Sequence, residues 1–249
     1  MTTNGLPAEF QVISAEQQFS FACHPGVSCF TECCRELDLA LSPYDVLRLK
    51  NALNITSHQF LERYVIIEQP ADQILPICYL TMVDDGRASC VFVNEHGCSV
   101  YPNRPGSCRA YPLGRGGECD SSGKVTESLV LLQEPHCKGF AEPVSQNAQT
   151  YLQEQGLTLY NRFNDALLPL YQHQSIRNRS FQPTALQLDQ YILALYDVDQ
   201  FRQELAKGNI HLPTPLNTQQ LKSVAGSDED LLLFGIKWLM LEWFDSQQR

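Results

Sequence analysis

Cys23-His-Pro-Gly-Val-Ser-Cys29-Phe-Thr-Glu-Cys33-Cys34 sets four thiols within twelve residues, the last two adjacent. So dense a cluster points to metal or iron-sulfur ligation, because a loop carrying Pro and Gly can curl its sulfurs around one ion or cluster. Cys33 and Cys34 do not readily join each other, since a disulfide between neighbours closes a small, strained ring. They either ligate different ions or share a polynuclear site. Further along, Cys90-Val-Phe-Val-Asn-Glu-His-Gly-Cys98 and the run on to Cys108-Arg-Ala-Tyr-Pro112 place three more thiols around turns. Cys137, in His136-Cys137-Lys138-Gly139, makes an eighth.

All ten cysteines precede residue 138, and the rest of the 249-residue chain contains none. Two regions are therefore under different chemical demands. Thiols in such number serve disulfides, metals or redox chemistry, and the compartment decides among them. The stretch Met1 to Phe10 shows neither a basic nor an apolar targeting segment, so a reducing, cytoplasmic setting is expected. With 18 Lys plus Arg against 28 Asp plus Glu, the formal charge of −10 disfavours nucleic acid or an anionic membrane surface as the main partner. The most apolar stretch, Leu231 to Phe244, is interrupted by Lys237 and Glu242 and is too short to span a bilayer; it reads as a packing helix.

The pattern divides the chain into an N-terminal extension (1–19), a cysteine-cluster metal-binding domain (20–140) and a helical C-terminal region (141–249). The expected fold is mainly α with a small β hairpin (α+β), the metal-tied module preceding the helices. Ser42-Pro43-Tyr44-Asp45 is a helix start with a capping-box pattern, and that helix should run to about Leu53. Thr56 or Ser57 caps a second, short helix carrying Phe60, Leu61 and Tyr64. Ile74 to Met82 and Cys90 to Val93 are β-prone runs around a reversal at Asp84-Asp85-Gly86. Gly and Pro punctuate residues 94–124 so densely that no long regular element is expected there, and Gly114-Arg-Gly-Gly117 reads as a flexible loop. Helical spacing recurs at 146–155, 157–171, 184–206 and 228–245, the last started by Ser227 and the acidic Asp228-Glu229-Asp230, with Leu212 to Pro215 as a connector.

Taken in order, these motifs resemble the YkgJ-like cysteine-cluster family, whose domain is expected to chelate zinc or iron. The resemblance lies in the Cys23 to Cys34 group, Pro-Tyr-Asp-Val-Leu-Arg-Leu-Lys at 43–50, Cys-x-Phe at 90–92 and Gly-Cys-Ser-Val-Tyr at 97–101. It continues through Arg104-Pro105, Cys108-Arg-x-Tyr-Pro112 and Cys137-x-Gly139, covering roughly residues 20–140. The usual family opening is Cys-x-x-Cys-x-x-Cys-Cys, whereas the gaps here are five, three and zero residues. By family position the implied ligands are Cys23, Cys29, Cys33, Cys34, Cys90, Cys98, Cys108 and Cys137. They make either two four-thiolate sites or one cluster with extra ligands.

Cys78, in an apolar strand-like run, reads as a small buried hydrophobe, and Cys119 as a thiol that binds no metal. Arg104 and Arg109 are candidates to donate hydrogen bonds to the cofactor's sulfurs; fixing a turn is the equal alternative. His24, His96 and His136 lie close to cysteines, but with eight thiols at hand a surface or core role is expected of them. No phosphate loop, Gly-x-Ser-x-Gly or His-Glu-x-x-His is present, nor a Cys-x-x-x-Cys-x-x-Cys signature, so enzymatic activity is left open. An iron-sulfur cluster or iron serving redox or an enzyme reaction stands first. Zinc that folds a module binding a protein or small-molecule partner is the alternative, and metal storage or delivery a third.

Overall fold

Local capping sets the first helices. The computed structural model describes residues 9–212 and 214–245. In it Ser42 caps Pro43–Leu53: the Asp45 N–H donates to Ser42 Oγ at 3.2 Å, and the Ser42 N–H donates back to Asp45 Oδ2 at 2.7 Å. Thr56 and Gln59 repeat the device for Ser57–Tyr64. Each box satisfies amide groups that a helix start otherwise leaves open.

The described residues contain ten α-helices and five small antiparallel sheets, so the fold is mixed α and β, with more strand than a single hairpin. They form two compact units that interleave along the chain. One comprises residues up to Leu39 with Thr81–Asp165; the other comprises Ala40–Leu80 with residues from Ala166 onward. The expected succession of a cysteine module and then a helical region differs from this arrangement, because Ala40–Leu80 joins the later helices.

The cysteine-bearing unit is built on a three-stranded sheet ordered Phe10–Ile13, Val125–Leu132, Leu113–Cys119. Ile13, Phe19, Phe21, Leu113, Leu129, Leu131 and Tyr151 form its core, with Tyr111, Cys137 and Phe140 packed against them. The strand Leu113–Cys119 corrects the expectation of a flexible loop at Gly114 to Gly117. A Cβ on Gly114 would stand 2.8 Å from Val130 Cγ2, and one on Gly116 would stand 2.8 Å from Ser128 Oγ. Those glycines give clearance across the strand pair. Between them Arg115 binds Glu127 at 2.7 Å and Asp165 at 2.7 and 3.0 Å.

The expected hairpin is also rearranged. Met82–Val83 and Ser89–Cys90 pair across the Asp84-Asp85-Gly86 reversal, where Asp85 Oδ1 accepts the Arg87 N–H at 2.9 Å and Gly86 takes a φ of 76°. Ile77–Leu80 instead pairs, within the second unit, with Val65–Glu68. The β-branched run Val65-Ile66-Ile67 suits that role and follows directly on its helix.

In the second unit, the helices Ala185–Leu195 and Val198–Lys207 replace the single helix expected over 184–206. The break falls at Asp197, whose carboxylate accepts Ser57 Oγ–H at 2.7 Å and faces His58 Nδ1 at 3.0 Å. The final helix, Asp228–Met240, buries Leu231, Leu232, Ile236, Trp238 and Leu239 and starts at Ser227 as expected. Thr218–Gly226, capped by Asn217, is a further helix that periodicity alone did not indicate. In the expected connector, Pro213 lies outside the described residues. Among those residues, no helix is long and apolar enough to cross a membrane.

Candidate metal centre

The first cysteine group folds as successive tight turns. Val27 N–H donates to His24 O at 3.0 Å, Phe30 N–H to Val27 O at 2.9 Å, and Cys34 N–H to Thr31 O at 3.0 Å. Glu32–Cys34 is a single 3₁₀ turn, entered through Thr31 at φ 69°. With about three residues per turn, neighbours leave such a helix roughly 120° apart. Cys33 and Cys34 therefore depart in different directions, although their thiols still hydrogen-bond. That bond brings Cys33 down to about 7 against the pull of burial, and together with burial it pushes Cys34 up.

Backbone bonds bring the remaining thiols to this group from two sides. On one side, Ala22 N–H donates to Gly139 O at 3.1 Å, and Lys138 N–H donates to Cys29 Sγ at 3.1 Å. A Cβ on Gly139 would lie 2.6 Å from Ala22 O and 2.7 Å from a Phe21 ring carbon, so only glycine allows this approach. Cys23, Cys29 and Cys137 thereby share one neighbourhood. On the other side, Arg35 bridges to Ser89 and Glu36 N–H donates to Ala88 O at 3.0 Å, which sets Cys34 beside Cys90. Val93 pairs with Cys98, and Ser99 N–H returns to Phe92 O at 2.8 Å.

The electrostatics follow the same neighbourhoods. Burial, and then the fields of Cys33, Cys29 and Cys137, raise Cys23 to about 11, with Arg104 opposing. Burial also raises Cys90, with Cys98 and Cys33 adding to it, and raises Cys98, with Cys33 adding. Cys108 and Cys90 contribute to the upward shift of Cys34. Each of the eight thiols implied by the family resemblance thus lies within electrostatic reach of at least one other. Among the described residues, no three Cys, His, Asp or Glu side chains are drawn together as a closed coordination shell. The thiols share a field rather than a finished sphere. The ten cysteines form no disulfide.

Cys78 stands apart, fully buried in the second unit and pushed up to about 12 by burial alone. Cys119 ends a strand of the three-stranded sheet, with its thiol 3.6 Å from Asp120 O. The arginines direct their donors to oxygen. Arg104 donates to Tyr101 O at 2.8 Å and to Gln155 Oε1 at 2.5 Å, with its guanidinium 3.8 Å above the Tyr101 ring. Arg109 donates to Arg104 O at 3.2 Å, to Gln155 O at 2.9 Å and to Pro102 O. Both hold the turn before Cys108, and what reaches Cys23 and Cys98 from Arg104 is its charge.

The histidines beside cysteines face carboxylates: His24 faces Glu142 at 3.2 Å, His96 faces Glu95 at 3.4 Å, and His136 faces Glu134 at 3.7 Å. Tyr111 is a neighbour that the sequence did not mark as polar chemistry. Its hydroxyl is buried, and burial with the adjoining Cys137 and Glu134 keeps it protonated. A phenol O–H so placed is a donor for a thiolate at Cys137. The donor set is thus all sulfur, soft, and short of neutralising cations, which suits zinc or iron.

No curated protein and no solved structure matches this chain. A family model described as "CxxCxxCC: Putative zinc- or iron-chelating domain" matches residues 22–138, a span that begins just before Cys23 and ends just after Cys137. Residues 22–138 are thus similar to the CxxCxxCC domain, the family whose motifs the sequence resembles over the same stretch.

Proposed function

We propose that the chain binds metal through Cys23, Cys29, Cys33, Cys34, Cys90, Cys98, Cys108 and Cys137, and that an iron-sulfur cluster or thiolate-bound iron serves electron transfer or a redox reaction. The observation that carries this reading is the gathering of these thiols by the Ala22–Gly139, Lys138–Cys29 and Arg35–Ser89 ties, in surroundings where burial first, and then the neighbouring thiols, raise Cys23 and Cys90 above the ordinary thiol value. Cys23, Cys33 and Cys108 are exposed, as suits a centre that exchanges electrons at a surface. A bound cluster supplies one-electron chemistry. The chain's own residues supply the thiolates, the Lys138 N–H that donates to Cys29, and the positive charge of Arg104.

One observation favours zinc as a second reading. Met82–Val83 with Ser89–Cys90, and Val93–Asn94 with Gly97–Cys98, are strands of two residues, too short to hold themselves. A structural zinc ion, worth on the order of 10–16 kcal/mol in peptide systems, would tie them, leaving function to a partner surface.

Purification without oxygen, followed by iron, sulfide and zinc analysis and a visible spectrum, separates the two. Iron with equivalent sulfide and a band bleached by dithionite is the expected result. Colourless, stoichiometric zinc would move the assignment to the structural reading. A metal-free protein whose cysteines are oxidised in pairs would refute both.

A further inference from the structure

Buried polar atoms ordinarily find a partner, and one beside the cysteines does not. The Tyr111 hydroxyl is shut off from solvent and makes no hydrogen bond among the described residues. We propose that Tyr111 is a positioning residue of the metal centre: its hydroxyl weakens the metal-free fold by going unpartnered, and strengthens metal binding by donating to Cys137 Sγ once that sulfur is a ligand thiolate. This inference rests on the metal-binding reading above.

Two observations place the hydroxyl. First, the phenol is held so that it cannot swing out to water. Tyr151 Oη donates to Tyr111 O at 2.5 Å, the Tyr111 N–H donates to Ser107 O at 3.1 Å, and the ring meets Phe21 edge-on at 6.0 Å. Second, the backbone brings Cys137 to it. The Leu132 N–H donates to Pro112 O at 2.8 Å, so the chain leaves the strand Val125–Leu132 beside Tyr111. The Cys137 N–H then donates to Glu134 O at 3.0 Å and closes a turn. Tyr111 and Cys137 pack against the same core, and Cys137 and Glu134 are the side chains that face the hydroxyl.

Chemistry chooses between those two. The Glu134 carboxylate is partly exposed and faces His136 at 3.7 Å, so water and an imidazole are at hand for it. A neutral thiol is a weak acceptor, whereas a ligating thiolate carries charge that a neighbouring O–H can share. The arginines nearby do not compete for that sulfur, because the donors of Arg104 and Arg109 go to oxygens.

Tyr111→Phe keeps the ring and removes only the O–H. Cobalt(II) is added to the reduced, metal-free full chain under nitrogen against a competing chelator. Its affinity is read from the competition, and its thiolate charge-transfer band reports hydrogen bonding to sulfur. The metal-free variant should unfold at higher urea than the unaltered chain, yet bind cobalt about tenfold more weakly, with the band moved to longer wavelength. A merely structural role would lower the urea midpoint and leave the band in place. The loss of affinity should persist in a Glu134→Gln background and disappear in Cys137→His, whose imidazole keeps a ligand but offers the hydroxyl no sulfur lone pair.

Unchanged affinity and band in Tyr111→Phe would overturn the proposal, as would a lowered urea midpoint. A loss that vanishes in the Glu134→Gln background would also overturn it, by making the carboxylate the acceptor. A chain that takes up no cobalt, and carries no metal when isolated, would overturn the metal-binding reading and this inference with it.

Discussion

Gly139→Ala tests whether the approach of the Cys137 strap to the first cysteine loop holds the centre together. The new methyl would sit 2.6 Å from Ala22 O and 2.7 and 3.1 Å from two Phe21 ring carbons. A carbon and a carbonyl oxygen ordinarily stay about 3.3 Å or more apart, so the strap must retreat by roughly 0.7 Å. Overpacking of this kind costs about 1–3 kcal/mol. If the 3.1 Å Ala22 to Gly139 hydrogen bond breaks as well, about 1 kcal/mol more is lost. The cysteine-bearing unit should therefore lose roughly 2–4 kcal/mol in all. Cys23 and Cys137 flank the two contacting backbones, so their alkylation by iodoacetamide should quicken in the apo protein while that of Cys98 changes little. Urea unfolding followed by circular dichroism, with site-resolved mass spectrometry of the alkylated thiols, measures both effects. Gly226→Ala is the control, because a Cβ there meets nothing within 4 Å and the residue ends a helix. If Gly139→Ala matched the unaltered protein within about 0.5 kcal/mol and kept its alkylation pattern, the close approach would not be what positions Cys137.

Other perturbations probe the second unit and the thiols outside the cluster. Lys50, only 4% exposed, lies 3.0 Å from Asp199 and 2.8 Å from Asp228. Lys50→Met should cost about 2–4 kcal/mol, somewhat below the loss for a fully buried pair because both carboxylates are partly wet. Asp228 is held below the usual carboxylate range; burial pulls the other way and is outweighed by Lys50, Asn51 and Arg202. Its contribution to stability is present above the unfolded value and is lost as pH falls through the lower folded value, a loss that Lys50→Met should reduce in acid-unfolding curves. His58 is raised by its hydrogen bond to Asp197, with the charges of Asp197 and Glu62 adding. Its contribution is complete below the unfolded histidine value and fades as pH rises through the raised folded one; NMR titration should show Asp197→Asn returning His58 toward the ordinary value. Cys78→Ser should cost about 1–3 kcal/mol by burying a hydroxyl in an apolar strand, and elemental analysis should find its metal content unchanged.

The fold was legible where its causes are local. Ser42 with Asp45, Thr56 with Gln59, and Ser227 with Asp230 each fix a helix start through atoms three residues apart, and all three starts read directly from sequence. Asn217 with Gln220 carries the same signal, and reading that cap would have found the helix Thr218–Gly226. The break at Asp197 was not legible, because the groups that draw its carboxylate away are Ser57 and His58, about 140 positions earlier. Nor was the strand Leu113–Cys119. Glycines in sequence signal a loop, whereas here their missing side chains make room for Val130 and Ser128 on the partner strand.

At the candidate metal centre, the residue types were legible and their grouping was not. Sulfur spacing along the chain separates Cys23, Cys29, Cys33 and Cys34 as one run and Cys90, Cys98 and Cys108 as another. In space the runs are brought together, because a strap from residues 137–139 is tied to Cys29 and the Arg35–Ser89 bridge draws Cys34 toward Cys90. The arginines make the same point from the opposite direction. Arg109 follows Cys108 in sequence, yet its guanidinium serves the carbonyls of Pro102, Arg104 and Gln155, because an irregular backbone leaves oxygens that need donors. Of the two roles the sequence left open for these arginines, the hydrogen bonds are those of turn-fixing. Tyr111, two residues further on, has its hydroxyl buried beside Cys137, in a position visible only once the sheet and the strap are both in place. Beside the Lys138 N–H that reaches Cys29, a second donor thus lies close to sulfur in a residue whose polarity the sequence gave no reason to weigh.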